Sequence, residues 1–147
     1  MARHILARAL VFDAMMVLMF QSARADEIKD LQDFSAARAV IERQLAAFAH
    51  DDAVAAYAEA SPSITAKFIN PDVFMSMVRH QYAPIFRHSN IDFGYAKLEE
   101  ADTIEQIVTL TDQNDKVWRA LYELSRQTDG TWLISSCVLV PSEEEAL

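Results

Sequence analysis

The sequence predicts an α+β domain, with helices first and a meander of antiparallel strands afterwards. Three observations predict it. Apolar residues recur at spacings of three and four through the first half of the chain. Short runs then alternate apolar and polar side chains. Finally, Asp129-Gly130 sits between two alternating runs that each begin near a tryptophan, Trp118 and Trp132, which is the signature of a hairpin. The 147 residues suit one domain, and with 52% of them apolar and 10% aromatic they can bury a substantial core.

The first 25 residues have the layout of a secretory signal peptide. Arg3 and Arg8 supply a positive start, the run from Ala9 to Phe20 is mostly apolar, and Ala23-Arg24-Ala25 offers small residues at a cleavage site. Asp13 interrupts that run, and twelve residues fall well short of the ~20 that a membrane-spanning helix needs. The expected mature chain begins at Asp26 and is periplasmic or secreted, with a single domain over residues 26–140 and an acidic tail over 141–147. Removing Arg3, Arg8, Arg24 and Asp13 takes the formal net charge from −9 to −11. Such a charge, without any cluster of Lys and Arg, disfavours nucleic acid and anionic membranes as partners.

In the mature chain the first helical pattern runs from Asp26 to about His50, through Ile28, Leu31, Phe34, Ile41, Leu45 and Phe48. Asp51-Asp52 interrupts it and offers a cap for a second helix from Ala53 to about Ala60, which Ser61-Pro62-Ser63 should end. Ile64 to Phe68 has no assignable period. Asn70-Pro71-Asp72 is a strong helix start: Asn caps, Pro suits the first helical position and Asp favours the positive end of the helix dipole. Phe74, Met77, Val78 and Tyr82 continue that helix until Ala83-Pro84, and Phe74, Met75 and Met77 read as a core stripe rather than a flexible binding surface.

Beyond Pro84 the pattern turns to strand. Ile91, Phe93 and Tyr95 alternate around Gly94; Ile104, Gln106, Val108 and Leu110 alternate again, closing at Asp112 to Asp115. In the hairpin, Trp118, Ala120, Tyr122 and Leu124 share one face, with Val117 and Leu121 on the other. Strict alternation in the last strand puts Trp132, Ile134, Ser136 and Val138 opposite Leu133, Ser135, Cys137 and Leu139.

Several local signatures resemble a small bacterial family known only as a domain of unknown function. They are Ile41-Glu42-Arg43-Gln44-Leu45, Asp51-Asp52-Ala53, Tyr57-Ala58-Glu59-Ala60-Ser61-Pro62, Tyr82-Ala83-Pro84, and the late Trp118, Tyr122, Asp129-Gly130-Thr131-Trp132, Ile134 and Cys137. That family is similar to the nuclear-transport-factor-2-like superfamily. The resemblance implies N-terminal helices packed in the concave face of a curved antiparallel sheet, an NTF2-like cone. The superfamily contains isomerases, dehydratases and cyclases beside non-catalytic members, so the fold leaves the function open.

Titratable and aromatic residues expected to reach a cone interior are Tyr57, His80, Tyr82, Tyr95, Trp118 and Tyr122. Each is more commonly a core aromatic, or a satisfied surface group, than a ligand contact. His50, His80 and His88 lack the spacing of a metal site, and the lone Cys137 excludes a cysteine metal knuckle or an internal disulfide. Cys137 reads as a small buried hydrophobe. Asp51-Asp52 is explained by capping, and Glu99-Glu100-Ala101-Asp102 and Glu143-Glu144-Glu145 by solvation. There is no nucleophile elbow and no Gly-rich phosphate loop. No catalytic residue, metal or cofactor is therefore assigned. The expected roles are a non-catalytic module for a small apolar ligand and a homodimer paired through its sheet. The alternative is an isomerase or dehydratase using a pocket His or Asp with a Tyr donor.

Overall fold

The computed structural model describes residues 3–142, with side chains from Met16 onward except Val17. Of the acidic tail expected over 141–147, residues 143–147 lie outside the described residues, as do most side chains of the expected signal peptide, while Pro141 belongs to the last strand instead. The chain divides into two compact units, residues 1–33 and 34–147. A helix, α1, is assigned to Arg3–Ala49. No proline occurs before Pro62 and no glycine before Gly94, so nothing in the local sequence breaks it.

In the first unit Met16, Leu18, Met19 and Phe20 are all at least 60% exposed. Lys29 donates to Asp33 one turn away at 3.0 Å. Ile28 and Leu31, expected on the core stripe, are exposed instead. Helical periodicity marks a face, whereas burial also needs something packed on it. Among the described residues no helix is long and apolar enough to cross a membrane.

The second unit is α+β, an antiparallel sheet with helices packed against it. Its part of α1 buries Ala37, Val40, Ile41, Leu45 and Phe48 on one face. The helix closes with Asp51 left-handed (φ 55°) and Asp52 N–H bonded back to the Ala47 carbonyl at 2.9 Å, the six-to-one closure of a Schellman motif. Asp52 then caps α2 (Ala53–Ala58), its carboxylate accepting from Ala55 N–H at 3.0 Å. The helix stops two residues before the expected Ala60. Ser61-Pro62-Ser63 does more than end it: Pro62 opens a further turn, α3 (Pro62–Thr65), as proline suits a first helical position. Asn70 caps α4 (Pro71–Gln81) through Val73 N–H at 2.9 Å, and Phe74, Met75 and Val78 are buried beneath it. Pro84 likewise begins a turn, α5 (Ala83–Phe86), rather than leading straight into strand.

Four strands follow, β1 (His88–Glu100), β2 (Thr103–Asp112), β3 (Val117–Arg126) and β4 (Trp132–Pro141), antiparallel and in sequence order. Ile104, Gln106, Val108 and Leu110 of β2, and Ala120, Tyr122 and Leu124 of β3, form the buried face against the helices. The β3–β4 turn places Gly130 at φ 86°, with Asp129 accepting from Thr131 N–H at 3.0 Å.

Two bulges break the alternation expected from sequence. Between Phe93 and Ala96 β1 carries one residue too many, and Tyr95 swings outward to 69% exposure. The buried Gln106 amide steadies that bulge, donating to the Gly94 carbonyl at 3.0 Å and to that of Ile107 at 2.8 Å. In β4, Leu124 pairs with Ile134 but Glu123 pairs with Ser136, leaving Ser135 as the extra residue. Its hydroxyl donates to Glu123, backbone carbonyl and carboxylate both at 3.1 Å. One added residue inverts every side chain beyond it. Trp132 and Ile134 therefore face the core together with Cys137 and Leu139, while Val138 is 53% exposed. The alternation expected for Ser136, Cys137, Val138 and Leu139 is thus reversed.

Candidate functional site

A cavity of about 290 Å³ lies between the helices and the end of the sheet, wholly within the second unit. Gln44 and Phe48 of α1 line it, with Phe74, Met77, Val78 and Gln81 of α4, Ile64 of α3 and Ile85 of α5. Tyr122 of β3 and Ile134 to Cys137 of β4 complete the sheet side, and Lys67, Phe68 and Tyr82 come from connections between helices. The order of burial separates depth from mouth: Phe48, Phe74, Tyr122 and Ile134 are buried, whereas Lys67 and Gln81 are exposed. The apolar depth follows from the local pattern. Phe48 continues the buried stripe of α1, Phe74 and Val78 lie one turn apart on α4, and Tyr122 falls on the inward set of β3.

Polar groups meet at one wall. Tyr122 pairs with Cys137 across β3 and β4, and the Tyr82 hydroxyl donates to the Cys137 carbonyl at 3.2 Å. Among the described residues the buried Tyr122 hydroxyl has no oxygen or nitrogen partner, and only the weakly bonding Cys137 thiol lies beside it. Burial pushes its pKa well above the usual tyrosine value, and nearby Cys137 and Tyr82 push the same way. Burial likewise raises the Cys137 thiol to about 12, with the Tyr122 hydroxyl acting in the opposite direction. Tyr82 is raised too, by burial first and Cys137 second. At neutral pH all three are protonated and uncharged, so Cys137 is no thiolate nucleophile. What the wall offers is neutral hydrogen bonding inside an apolar space. Among the described residues no carboxylate and no imidazole line the cavity.

Of the six candidates from sequence, the structure brings Tyr82 and Tyr122 together in this cavity. Tyr57 stands outside the lining and supports it: its hydroxyl reaches the carbonyls of Phe68 at 2.7 Å and Thr65 at 3.2 Å, and its ring meets Phe74 edge-on. His80 is exposed on α4, with Nδ1 donating to the Ser76 carbonyl at 2.7 Å. Tyr95 is turned out by its bulge. Trp118 is half-buried at the β2–β3 turn, where its indole N–H donates to Asp112 at 2.9 Å and Lys116 lies over its ring. His50 and His88 also bond backbone carbonyls through Nδ1. Among the described residues no three His, Cys, Asp or Glu side chains converge as a metal site would require.

Sequence reasoning missed Gln44, Lys67, Phe68 and the Ser135 to Cys137 segment. Gln44 fell in a string of helix-surface residues, and its amide in fact donates to the Ala56 carbonyl at 3.1 Å. Lys67 and Phe68 fell in the stretch without a period. Cys137 was assigned to the wrong face by the unseen bulge.

A second, larger depression of about 460 Å³ lies beside α5, but its charged groups already serve each other. Arg79 and Arg87 flank the Phe86 ring, and Arg87 pairs with Asp51 at 2.7 Å. Asp112 there is taken by Trp118.

Residues 30–147 match a protein family described as "Domain of unknown function (DUF4864)". No curated protein matches the chain, and no solved structure matches it. Because the match spans most of its length, including every residue that lines the cavity, the chain belongs to this domain-of-unknown-function family.

Proposed function

We propose that the second unit is a non-catalytic module that binds a small, mostly apolar molecule in the cavity walled by Phe48, Phe74 and Tyr122. The orphaned Tyr122 hydroxyl carries the reading. A buried hydroxyl without a partner costs about 1–3 kcal/mol, and a ligand bearing a polar atom would remove that penalty. An engineered cavity of about 150 Å³ in another protein holds one benzene, so about 290 Å³ suits about a dozen non-hydrogen atoms. The isomerase or dehydratase alternative needs a proton acceptor in the cavity, and the lining supplies none. The NTF2-like cone belongs to the same proposal, supported by helices on one face of a bulged antiparallel sheet. To test it, the amide spectrum of the protein would be followed as 4-phenylbutanamide is added. Shifts at Phe74, Tyr82, Tyr122 and Cys137, abolished by the cavity-filling Met77→Trp, are expected; an unchanged spectrum refutes the reading.

A second reading concerns the opposite face of the sheet. Ile107, Leu121 and Val138 stand side by side across β2, β3 and β4, and Leu121 and Val138 are 39% and 53% exposed. Two residues to either side of Leu121 lie Arg119 and Glu123. A two-fold axis along that apolar row would set each Arg119 against Glu123 of the second copy, so the face is self-complementary. We infer a homodimer through this face. Sedimentation should give a dimer that Leu121→Arg dissociates; a monomer at tens of micromolar would refute it.

Export of the chain with cleavage after Ala25 is proposed on the same footing. The exposed apolar side chains of Met16, Leu18, Met19 and Phe20 support it, since a segment removed after targeting need not pack. A mature N-terminus other than Asp26 would overturn the cleavage site.

A further inference from the structure

We propose that the occupant of this cavity is a monoanionic amphiphile, an aryl carboxylate of about a dozen non-hydrogen atoms with a neutral hydroxyl at its inward end for Tyr122 and its charge held at the mouth by Lys67. The inference rests on the binding reading above and adds the charge of the ligand to it. Among the described residues of the lining, Lys67 is the only one with a charged side chain. It is exposed at the mouth and forms no ion pair with the described residues. In a chain of formal net charge −9, an unpaired ammonium beside an apolar opening is the local exception that attracts an anion.

The two ends of the cavity thus ask for different chemistry. Its depth is apolar and closes on the neutral Tyr122 hydroxyl, which would desolvate any charge placed there. Its mouth is wet and cationic, where a carboxylate keeps part of its water while facing Lys67. An apolar body whose inward end carries one neutral hydroxyl for Tyr122, with its anion at the entrance, satisfies both; a cation does not. Lys67 is carried on the connection after α3.

Three probes of one shape separate charge from fit: 3-(4-hydroxyphenyl)propanoate, 3-(4-hydroxyphenyl)propanamide and 3-(4-hydroxyphenyl)propylamine, titrated calorimetrically into the full chain. The carboxylate is expected to bind several-fold more tightly than the amide, and the amine most weakly. An exposed charge pair gives an effect of that size, and it should shrink in 0.5 M salt. Lys67→Gln, an exposed change that leaves the core untouched, should bring the carboxylate down to the amide. If the amide equals or exceeds the carboxylate in the unmodified protein, the charge assignment is wrong although the cavity still binds. If none of the three binds, the binding reading fails and this inference fails with it.

Discussion

Tyr122 and Cys137 face each other across β3 and β4 only because Ser135 is an extra residue in β4. Without it, the run from Trp132 would put Ser136 and Val138 on the inner face and turn Cys137 to solvent. The bulge therefore moves a thiol and a carbonyl to the cavity wall, where the carbonyl receives Tyr82, and leaves Val138 on the outer face beside Leu121.

The reversed face can be read by thiol chemistry. With its pKa raised to about 12, Cys137 is about one part in ten thousand thiolate at pH 8, whereas an ordinary cysteine with a pKa of about 8.5 is about one quarter thiolate. Native Cys137 is expected to react with DTNB about a thousandfold more slowly than the outward thiol of a Cys137→Ala, Val138→Cys variant. Equal rates would show that β4 keeps strict alternation.

Removing the Tyr122 hydroxyl should have opposite effects on stability and binding. Tyr122→Phe keeps the ring and deletes an unpartnered buried group, so the ligand-free protein should gain about 1 kcal/mol and melt a few degrees higher. The same variant should bind 4-phenylbutanamide more weakly. A fall in Tm would mean that the hydroxyl has a partner in the free protein.

Acid should loosen the β2–β3 turn. The Trp118 indole N–H holds the Asp112 carboxyl below its ordinary value of 3.8, aided by the backbone N–H groups of Asn114 and Lys116 and opposed by partial burial. A carboxyl depressed on folding stabilises fully above the unfolded value and loses that contribution as pH falls through the folded one. Trp118 fluorescence should therefore change below about pH 3.8. Asp112→Asn should remove that transition; its persistence in the variant would place the acid-sensitive group elsewhere.

Gly130 isolates a backbone effect. It sits at φ 86°, and a Cβ there would meet nothing within 4 Å. Gly130→Ala should cost about 1 kcal/mol from conformation alone, measured by urea unfolding with an unchanged slope. A neutral result would show that the turn adopts another geometry.

Much of this architecture could be read from local chemistry. Asp52 and Asn70 cap the helices that follow them, as their short acceptor side chains suggested. Asp129-Gly130 turns β3 into β4, and the inward set Ala120, Tyr122 and Leu124 is the one that alternation picks out. Signals of this kind act over four or five residues, so the sequence alone determines them. It also marked Tyr82 and Tyr122, two residues of the cavity.

Tertiary structure decided what depends on a partner. Whether Ile28 and Leu31 are buried depends on what packs beside α1, and periodicity carries no record of that. Pro62 and Pro84 each allow a helix to end or a new turn to begin, and the packing of α3 and α5 selected the latter. The bulges at Gly94 and Ser135 exist only in relation to β2 and β3, because an extra residue has meaning only against a pairing register. From that register come the outward Tyr95, the inward Cys137 and the exposed row through Leu121 and Val138. A period of two states which residues share a face, but only the neighbouring strand states where that period slips.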